Sequence, residues 1–307
     1  MVDHRAKKEE FRAGVNARDP YALAKVLNIP RVSAIQGSEP APPKHPETLQ
    51  EGGTDWSSVL NTWIGACEAA EAVSSIRSGY RGHCIFSYPI FSNDNPNPMP
   101  SSYRLLQGYA VKCYESQAAL HAAFTYVFGS STGNKLVPAL HTVCKNTHRI
   151  AIAADQASVN PSDQSKLENA VTLLQESFSR TFNDRKELRP QAPYDEEGSK
   201  KAGVLLIVNE LFSIYFRLNT LRLCKNLLRP VETRKLHEQG TMGQMVTYRY
   251  YTGRLNLFED QYADAEKNLE YALKHCNKNA IHNKKCILRY LVPVKLYRGR
   301  LPSAACK

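Results

Sequence analysis

Four residues near the C-terminus, His275, Cys276, His282 and Cys286, have side chains that bind zinc, and His282 and Cys286 lie four apart, able to share a helix face. Their spacing fits no standard zinc pattern. Cys276 closes an apolar helical pattern and Cys286 sits beside Ile287 and Leu288, so buried structural thiols are the expectation, with no metal and no cofactor. The same region offers a second chemistry. From Tyr271 to Lys307 the chain carries Lys274, Lys278, Lys284, Lys285, Arg289, Lys295, Arg298, Arg300 and Lys307 with neither Asp nor Glu, which places nine of the eleven net positive charges there. Lys and Arg neutralise phosphates and release counterions, and Tyr290 and Tyr297 can stack on bases. Lys284, Lys285, Arg289, Lys295, Arg298 and Arg300 are therefore the candidate binding residues, for RNA, for DNA or for an acidic protein partner. They do not all share one stripe, and a solvated helix face is the plain alternative.

Nothing comparable points to catalysis. The sequence has no Gly-rich phosphate loop, no HExxH, no GxSxG and no pair of carboxylates framed by strand ends. His121, His141 and His148 fall on helical patterns, where a core or surface histidine is expected rather than a general base. Tyr248, Tyr250, Tyr251, Phe258, Tyr262 and Tyr271 can form a recognition surface, but stacked helices need large side chains between layers, so core packing is expected for most of them. Trp56 and Trp63, seven apart on one helix face, are expected to be buried against a neighbouring helix.

Composition sets the frame for these residues. At 307 residues with 42% hydrophobic and 22% charged content, the chain can bury one large core or two modest ones and is not disordered as a whole. Its +11 charge favours a polyanionic or acidic partner. Eight widely spaced cysteines without a CxxC pair read as reduced and intracellular, and neither a secretory signal nor a membrane-spanning run is present.

The elements that must position the basic residues are helical throughout. A short N-terminal segment, 1–34, is expected to precede a flexible Pro- and Gly-rich connector, 35–55. A first body of helical repeats, 56–184, should begin with a helix of about five turns reaching Ile76. A long loop from Gly79 to Ser102, dense in Pro and Asn, interrupts it. Helices are then expected from Leu105 to the Gly129–Gly133 turn, from Leu136 to Ala154, and from Leu167 to Phe182, the last two separated by a turn at Asn160–Ser162. A charged linker, 185–200, leads to the second body, 201–307. There Leu205, Val208, Leu211, Phe212, Tyr215, Leu218 and Leu221 trace an apolar stripe so wide that its helix must pack on both sides, ended by Pro230. Helices Val246–Phe258, Tyr262–Cys276 and Ala280–Arg298 follow, the last kinked at Pro293. Gly253, Ala265 and Ala272, with Leu269 between the alanines, have the small-residue spacing of a tetratricopeptide-like hairpin. The fold class is all-α, with no convincing strand.

Three stretches carry a resemblance to a known family. Asn209-Glu-Leu-Phe-Ser-Ile-Tyr-Phe-Arg-Leu-Asn-Thr-Leu-Arg-Leu-Cys-Lys225, Val246-Thr-Tyr-Arg-Tyr-Tyr-Thr-Gly-Arg254, and Tyr290-Leu-Val-Pro-Val-Lys-Leu296 with Gly299-Arg-Leu-Pro302 resemble the PCI domain-containing protein 2 group, also called COP9 signalosome subunit 12 homologues. Leu136-Val-Pro-Ala-Leu-His-Thr-Val-Cys-Lys145 is similar to the same group's more N-terminal helical region. The resemblance is strong over Val204–Pro302 and moderate over Leu105–Thr181. It implies a right-handed superhelical stack of antiparallel helix pairs, the PCI helical-repeat domain, which in the family ends in a winged helix. It also implies a non-catalytic subunit of the nuclear complex that couples transcription to mRNA export, sited in the nucleus and at the nuclear pore. The implied partners are a large mRNA-export scaffold protein and a small acidic proteasome-lid-type subunit. This chain stops at Lys307, just past Gly-Arg-Leu-Pro, so the winged helix is expected to be missing, and the Gly79–Ser102 loop matches nothing in the family pattern. A purely protein-binding subunit of a COP9-signalosome-like or splicing-linked assembly is the alternative.

Overall fold

The computed structural model of the chain describes residues 4–16, 21–27, 50–51, 54–55, 58–66, 101–131, 133–156, 164–188 and 197–300. Among them run α1 (His4–Asn16), α2 (Ala22–Leu27), α3 (58–66), α4 (Ser101–Ser130), α5 (Val137–Gln156), α6 (Ser165–Phe182), α7 (Val204–Arg217), α8 (Arg222–Thr233), α9 (Met242–Phe258), α10 (Tyr262–His275) and α11 (Ile281–Tyr297). The fold is an all-α helical repeat, divided into two compact units whose boundary falls at Arg180. One departure from helix concerns the expected connector: Gln50 and Glu51 pair antiparallel with Asp55 and Thr54. Gly52-Gly53 between the pairs is a hairpin signal, and reading those glycines only as flexibility overlooked it. The tail of the helix expected to reach Ile76, Trp56, the loop at 79–100 and the Asn160–Ser162 turn lie outside the described residues; the expected loop ends early, because α4 already begins at Ser101. No described helix is long and apolar enough to cross a membrane.

In the first unit, polar groups as well as apolar ones join the helices. Leu120, Phe124 and Phe128 of α4, Leu140 and Val143 of α5, and Leu167 and Leu174 of α6 are buried. Among them His121 is fully enclosed, with Nδ1 2.9 Å from Thr147 Oγ1 on α5 and Nε2 2.8 Å from Ser177 Oγ on α6. The Thr147 hydroxyl donates to the Val143 carbonyl, so it accepts from His121, whose proton therefore sits on Nδ1 while Nε2 accepts from Ser177. One histidine thus ties three helices. Asp155, near the end of α5, accepts the Lys166 and Leu167 backbone N–H groups and so caps α6. Trp63 of α3 is fully buried as expected, its ring 5.6 Å from Phe11 of α1, and Lys7 lies over the indole.

The second unit opens on Asp184. Burial works against its charge, but hydrogen bonds from the Lys200 and Lys186 N–H groups and the Ser199 hydroxyl, with the nearby Lys200 charge, outweigh that and hold its carboxyl below the usual range. Helix α7 is buried almost all round, from Val204 through Asn209 and again at Leu211, Phe212, Ile214 and Tyr215, as its wide stripe requires. The stripe does not run on as one helix, however. Asn219 takes a left-handed backbone (φ 55), Thr220 N–H returns to the Tyr215 carbonyl, and the chain restarts as α8. Asn is the non-glycine residue that best tolerates this closing conformation, a signal the apolar periodicity masked. Pro230 does not end the run either: it lies inside α8, and the carbonyl it would have bonded, that of Asn226, belongs to an exposed residue. Helix α9 begins at Met242, earlier than Val246, because Thr241 supplies a cap whose N–H donates to Gln244 Oε1 at 3.1 Å.

The hairpin of α9 and α10 depends on one absent side chain. A Cβ built on Gly253 would stand 2.8 Å from Leu269 Cγ, and Leu269 is fully buried between Ala265 and Ala272. The glycine lets the helices approach, and Arg249 Nη1 reinforces the pair by donating to Asn268 Oδ1 at 2.9 Å.

Two predictions follow from this packing. Burial lowers the His121 pKa from 6.5 to about 4, whereas the unfolded chain takes up that proton near 6.5. The site's stability is thus present above pH 6.5 and falls steadily as the pH drops towards 4, with a loss of about 2 kcal/mol between pH 7 and pH 5. Urea titrations of the chain and of His121→Gln at both pH values should show this dependence weakened in the variant. Gly253→Ala gains about 1 kcal/mol of helix propensity but overpacks the core by about 1–3 kcal/mol, so it should lower stability. Gly243→Ala, in open space at the start of α9, should raise it by about 0.5–1 kcal/mol. Thermal melts of both variants test the contrast.

Candidate nucleic-acid interface

Helix α11 lacks acids, but it does not present all its cations alike. Ile287, Leu291 and Val294, spaced four and three apart, form its buried stripe and close a core with Ala265, Leu269, Ala272 and Cys276 of the α10 segment. At 3.6 residues per turn, positions 285 and 289 fall opposite that stripe, one turn apart. Lys285 and Arg289 are accordingly exposed, and among the described residues neither lies within ion-pair distance of a carboxylate. Lys284 flanks the stripe, with its Nζ 3.4 Å from the Lys278 carbonyl in the α10–α11 turn. Exposed Lys274 and Lys278 add charge at the same end of the hairpin.

The other three candidates are paired within the chain. Lys295 pairs with Glu270 of α10, and Arg298 pairs with Glu266. Arg300 reaches the second oxygen of Glu266 at 3.3 Å. Glu266 is only 2% exposed, and Gly299, at φ 70, lets the chain reverse so that the arginines on either side of it converge on one carboxylate. A buried carboxylate held by two guanidinium groups is a strong local constraint. It fastens the end of α11 to α10 and lowers the positive field there. Lys285 and Arg289 therefore form an outward pair with half-buried Lys284 beside it, while Lys295, Arg298 and Arg300 form a latch. The latch carboxylates were missed because they lie on another helix. The available signal was the position of Glu266 beside Ala265 and three residues before Leu269, at the edge of the buried stripe.

The aromatic residues divide in the same way. Tyr248 is buried and stacks on Phe212 and His237, whereas Tyr250, Tyr251, Tyr262 and Tyr271 are half-buried and Phe258 is 58% exposed. Tyr250, Tyr290 and Phe216 surround the Arg254 guanidinium, with ring centres 4.2 to 5.4 Å from it. Such a cation–π cluster holds α7, α9 and α11 together and leaves Tyr290 half-buried. Tyr297 remains 71% exposed, its inner face 4.1 Å from the Tyr262 ring, so its outer face can stack on a base. The zinc-type residues scatter: Cys276 is in the core, His275 Nδ1 faces the Tyr271 carbonyl at 3.0 Å, and half-buried Cys286 stands 3.7 Å from His282. Cys286 is thus less enclosed than its apolar neighbours led one to expect.

Comparison with known proteins places this architecture. No family model matches the chain. It is 33% identical to PCI domain-containing protein 2 of Xenopus laevis over 197 residues, 63% of this chain and 48% of that protein. It is 33% identical to Enhanced ethylene response protein 5 of Arabidopsis thaliana over 204 residues, 66% of this chain and 46% of the relative. Protein CSN12 homolog of Mycosarcoma maydis is 31% identical over 257 residues, 78% of this chain and 54% of the relative. The chain spans about half the length of the curated relatives it matches. The chain is thus similar to PCI domain-containing protein 2 and CSN12 homologue proteins, at 31–33% identity over most of its own length.

Proposed function

We propose that this chain is a non-catalytic adaptor subunit of a nuclear complex that couples transcription to mRNA export, and that it contacts RNA or DNA through the outer face of α11. The observation that carries the nucleic-acid part is the outward pair Lys285 and Arg289, opposite the buried stripe of a helix that has no acids. Lys284, Lys274 and Lys278 extend that charge, and Tyr297 offers a ring for stacking. Contacts of this kind neutralise phosphates without reading sequence. The adaptor part is supported by the names of the relatives, PCI domain-containing protein 2 and CSN12 homolog. The partners proposed are a large mRNA-export scaffold protein and a small acidic subunit.

A second reading has its own support. Glu266 and Glu270 engage Lys295, Arg298 and Arg300 within the chain, which leaves a smaller patch than the sequence suggests. That patch also suits an acidic protein, as in a scaffold subunit of a COP9-signalosome-like or splicing-linked complex that makes no nucleic-acid contact.

Fluorescence anisotropy with short single-stranded RNA and DNA, across a salt series, separates the two readings. The chain should bind with an affinity that falls as salt rises, and Lys284→Glu/Lys285→Glu/Arg289→Glu should weaken binding at least tenfold and lower the salt slope by about three contacts' worth. Unchanged affinity at low salt would remove the patch from nucleic-acid binding and leave the protein-only reading.

A further inference from the structure

Helix α8 carries a second line of cations within the second unit. From Leu211 to Val231 the chain has Arg217, Arg222, Lys225 and Arg229 and neither Asp nor Glu. Cys224, Leu227 and Val231, three and four apart, form the buried stripe of α8. At 3.6 residues per turn, positions 222 and 229 fall opposite that stripe, two turns and roughly 10 Å apart along the axis. Arg222 and Arg229 are accordingly exposed, and among the described residues neither lies within ion-pair distance of a carboxylate. Lys225, between them, pairs with Glu259 at 2.9 Å yet keeps 59% of its side chain exposed. Exposed Asn226 and Thr233 complete the outward line.

This placement does not serve the helix itself. Arg222 and Lys225 stand in the first turn of α8, which has no acid, although the positive end of the helix dipole favours acids there. Lys225 and Arg229 are like charges one turn apart, which repel. Nor does the line suit a protein partner, because protein interfaces centre on apolar or aromatic anchors. Leu223, 38% exposed, lies on the flank of α8 instead. Guanidinium, ammonium and amide donors along one exposed line fit a row of phosphates.

The α9–α10 turn joins this line to α11. Glu259, which holds Lys225, directly follows Phe258, the last residue of α9, whose ring is 58% exposed and lies 6.1 Å from Phe216 of α7. Three residues past Glu259, the Tyr262 ring lies 4.1 Å from that of Tyr297 at the end of α11. Asp260, the other acid of the turn, accepts from the Tyr262 hydroxyl at 2.7 Å. The start of α8, the α9–α10 turn and the end of α11 therefore meet at one end of the unit. There Phe258 and Tyr297 offer exposed rings between two cationic helices. Cations interleaved with exposed rings are the arrangement that holds a single-stranded nucleic acid.

We infer that the outward face of α8 is a second contact for the nucleic-acid strand that engages α11, with Arg222 and Arg229 holding phosphates and Phe258 stacking on a base between the two helices. This rests on the reading of α11 as a nucleic-acid interface. It adds a minimum strand length, because a strand must pass the α9–α10 turn to reach both helices.

Fluorescence anisotropy of the full chain with oligouridylates of about 6 and about 20 nucleotides tests this. Arg222→Gln/Arg229→Gln should weaken the longer strand about tenfold at about 0.1 M salt and lower its salt slope by about 1.4, the share of two phosphate contacts on a single strand. The shorter strand should weaken far less, since α11 still holds it. Phe258→Ala should weaken the longer strand about tenfold with the slope unchanged. Circular dichroism and thermal melts establish that each variant is folded, and the Arg222→Gln/Arg229→Gln chain should melt no lower than its parent because repelling charges are gone. Lys285→Glu/Arg289→Glu should weaken both strands. Full affinity and an unchanged slope in the folded α8 variant, with binding lost in the α11 variant, would overturn the second contact, leave α11 standing and assign the α8 face to an acidic protein partner. Loss in the α8 variant alone would overturn the shared strand, and equal weakening of both lengths would overturn the length requirement. No binding of either strand by the parent chain would overturn the α11 interface and this contact together.

Discussion

An α-helix with a single apolar stripe can remove that stripe from water only against another helix, and this constraint organises each unit of the chain. Where two stripes meet, the distance between backbones is set by the smallest residue at the crossing. At the α9–α10 crossing that residue is Gly253, which admits Leu269 where any Cβ would collide with it. Ala265 and Ala272 on the facing helix keep the rest of the seam equally close. The core that α11 then covers with Ile287, Leu291 and Val294 exists only because that seam is tight. The orientation of every cation on α11 follows from which residues this core takes.

Polar groups then decide details that apolar packing leaves open. Packing of α4, α5 and α6 by leucine and phenylalanine alone would tolerate small slides along the helix axes. The chain of Gln117, His121, Thr147, Ser177 and Thr125 does not, because each member has a partner at one register. Glu266 acts in the same way at the other end of the chain: two arginines from the turn after α11 can reach it only in one arrangement. In both places a buried polar residue specifies a fold that hydrophobic burial drives.

These polar choices also shape the electrostatics on which function depends. The acid-free run from Tyr271 looks, as a sequence, like one strong positive field. Folding divides it into an outward set around Lys285 and Arg289 and a second set paired with Glu266 and Glu270 of α10. In the first unit the stripe of His141, Lys145 and Arg149 stays weak on a linear reading because three residues separate each member from the next and Lys25 is more than a hundred positions away. The crossing of α2 and α5 brings Lys25 beside it.

Sequence alone determined the all-α class, the helix identities of α5, α6, α10 and α11 to within one or two residues, the close crossing at Gly253, and the burial of Trp63. These depend on periodicity and on local steric preference, which are properties of neighbouring residues and survive without knowledge of the fold. The break at Asn219, the early start of α9 at Thr241 and the tolerance of Pro230 were also local, but their signals were short and were overshadowed by stronger apolar patterns. Tertiary structure alone decided that Asp155 caps another helix, that Glu266 and Glu270 take three of the six candidate cations, and that Lys25 joins the α5 stripe. Each of these is a contact between residues at least ten positions apart, and its energy appears only when packing brings the partners within a few ångströms, so no window of sequence contains it.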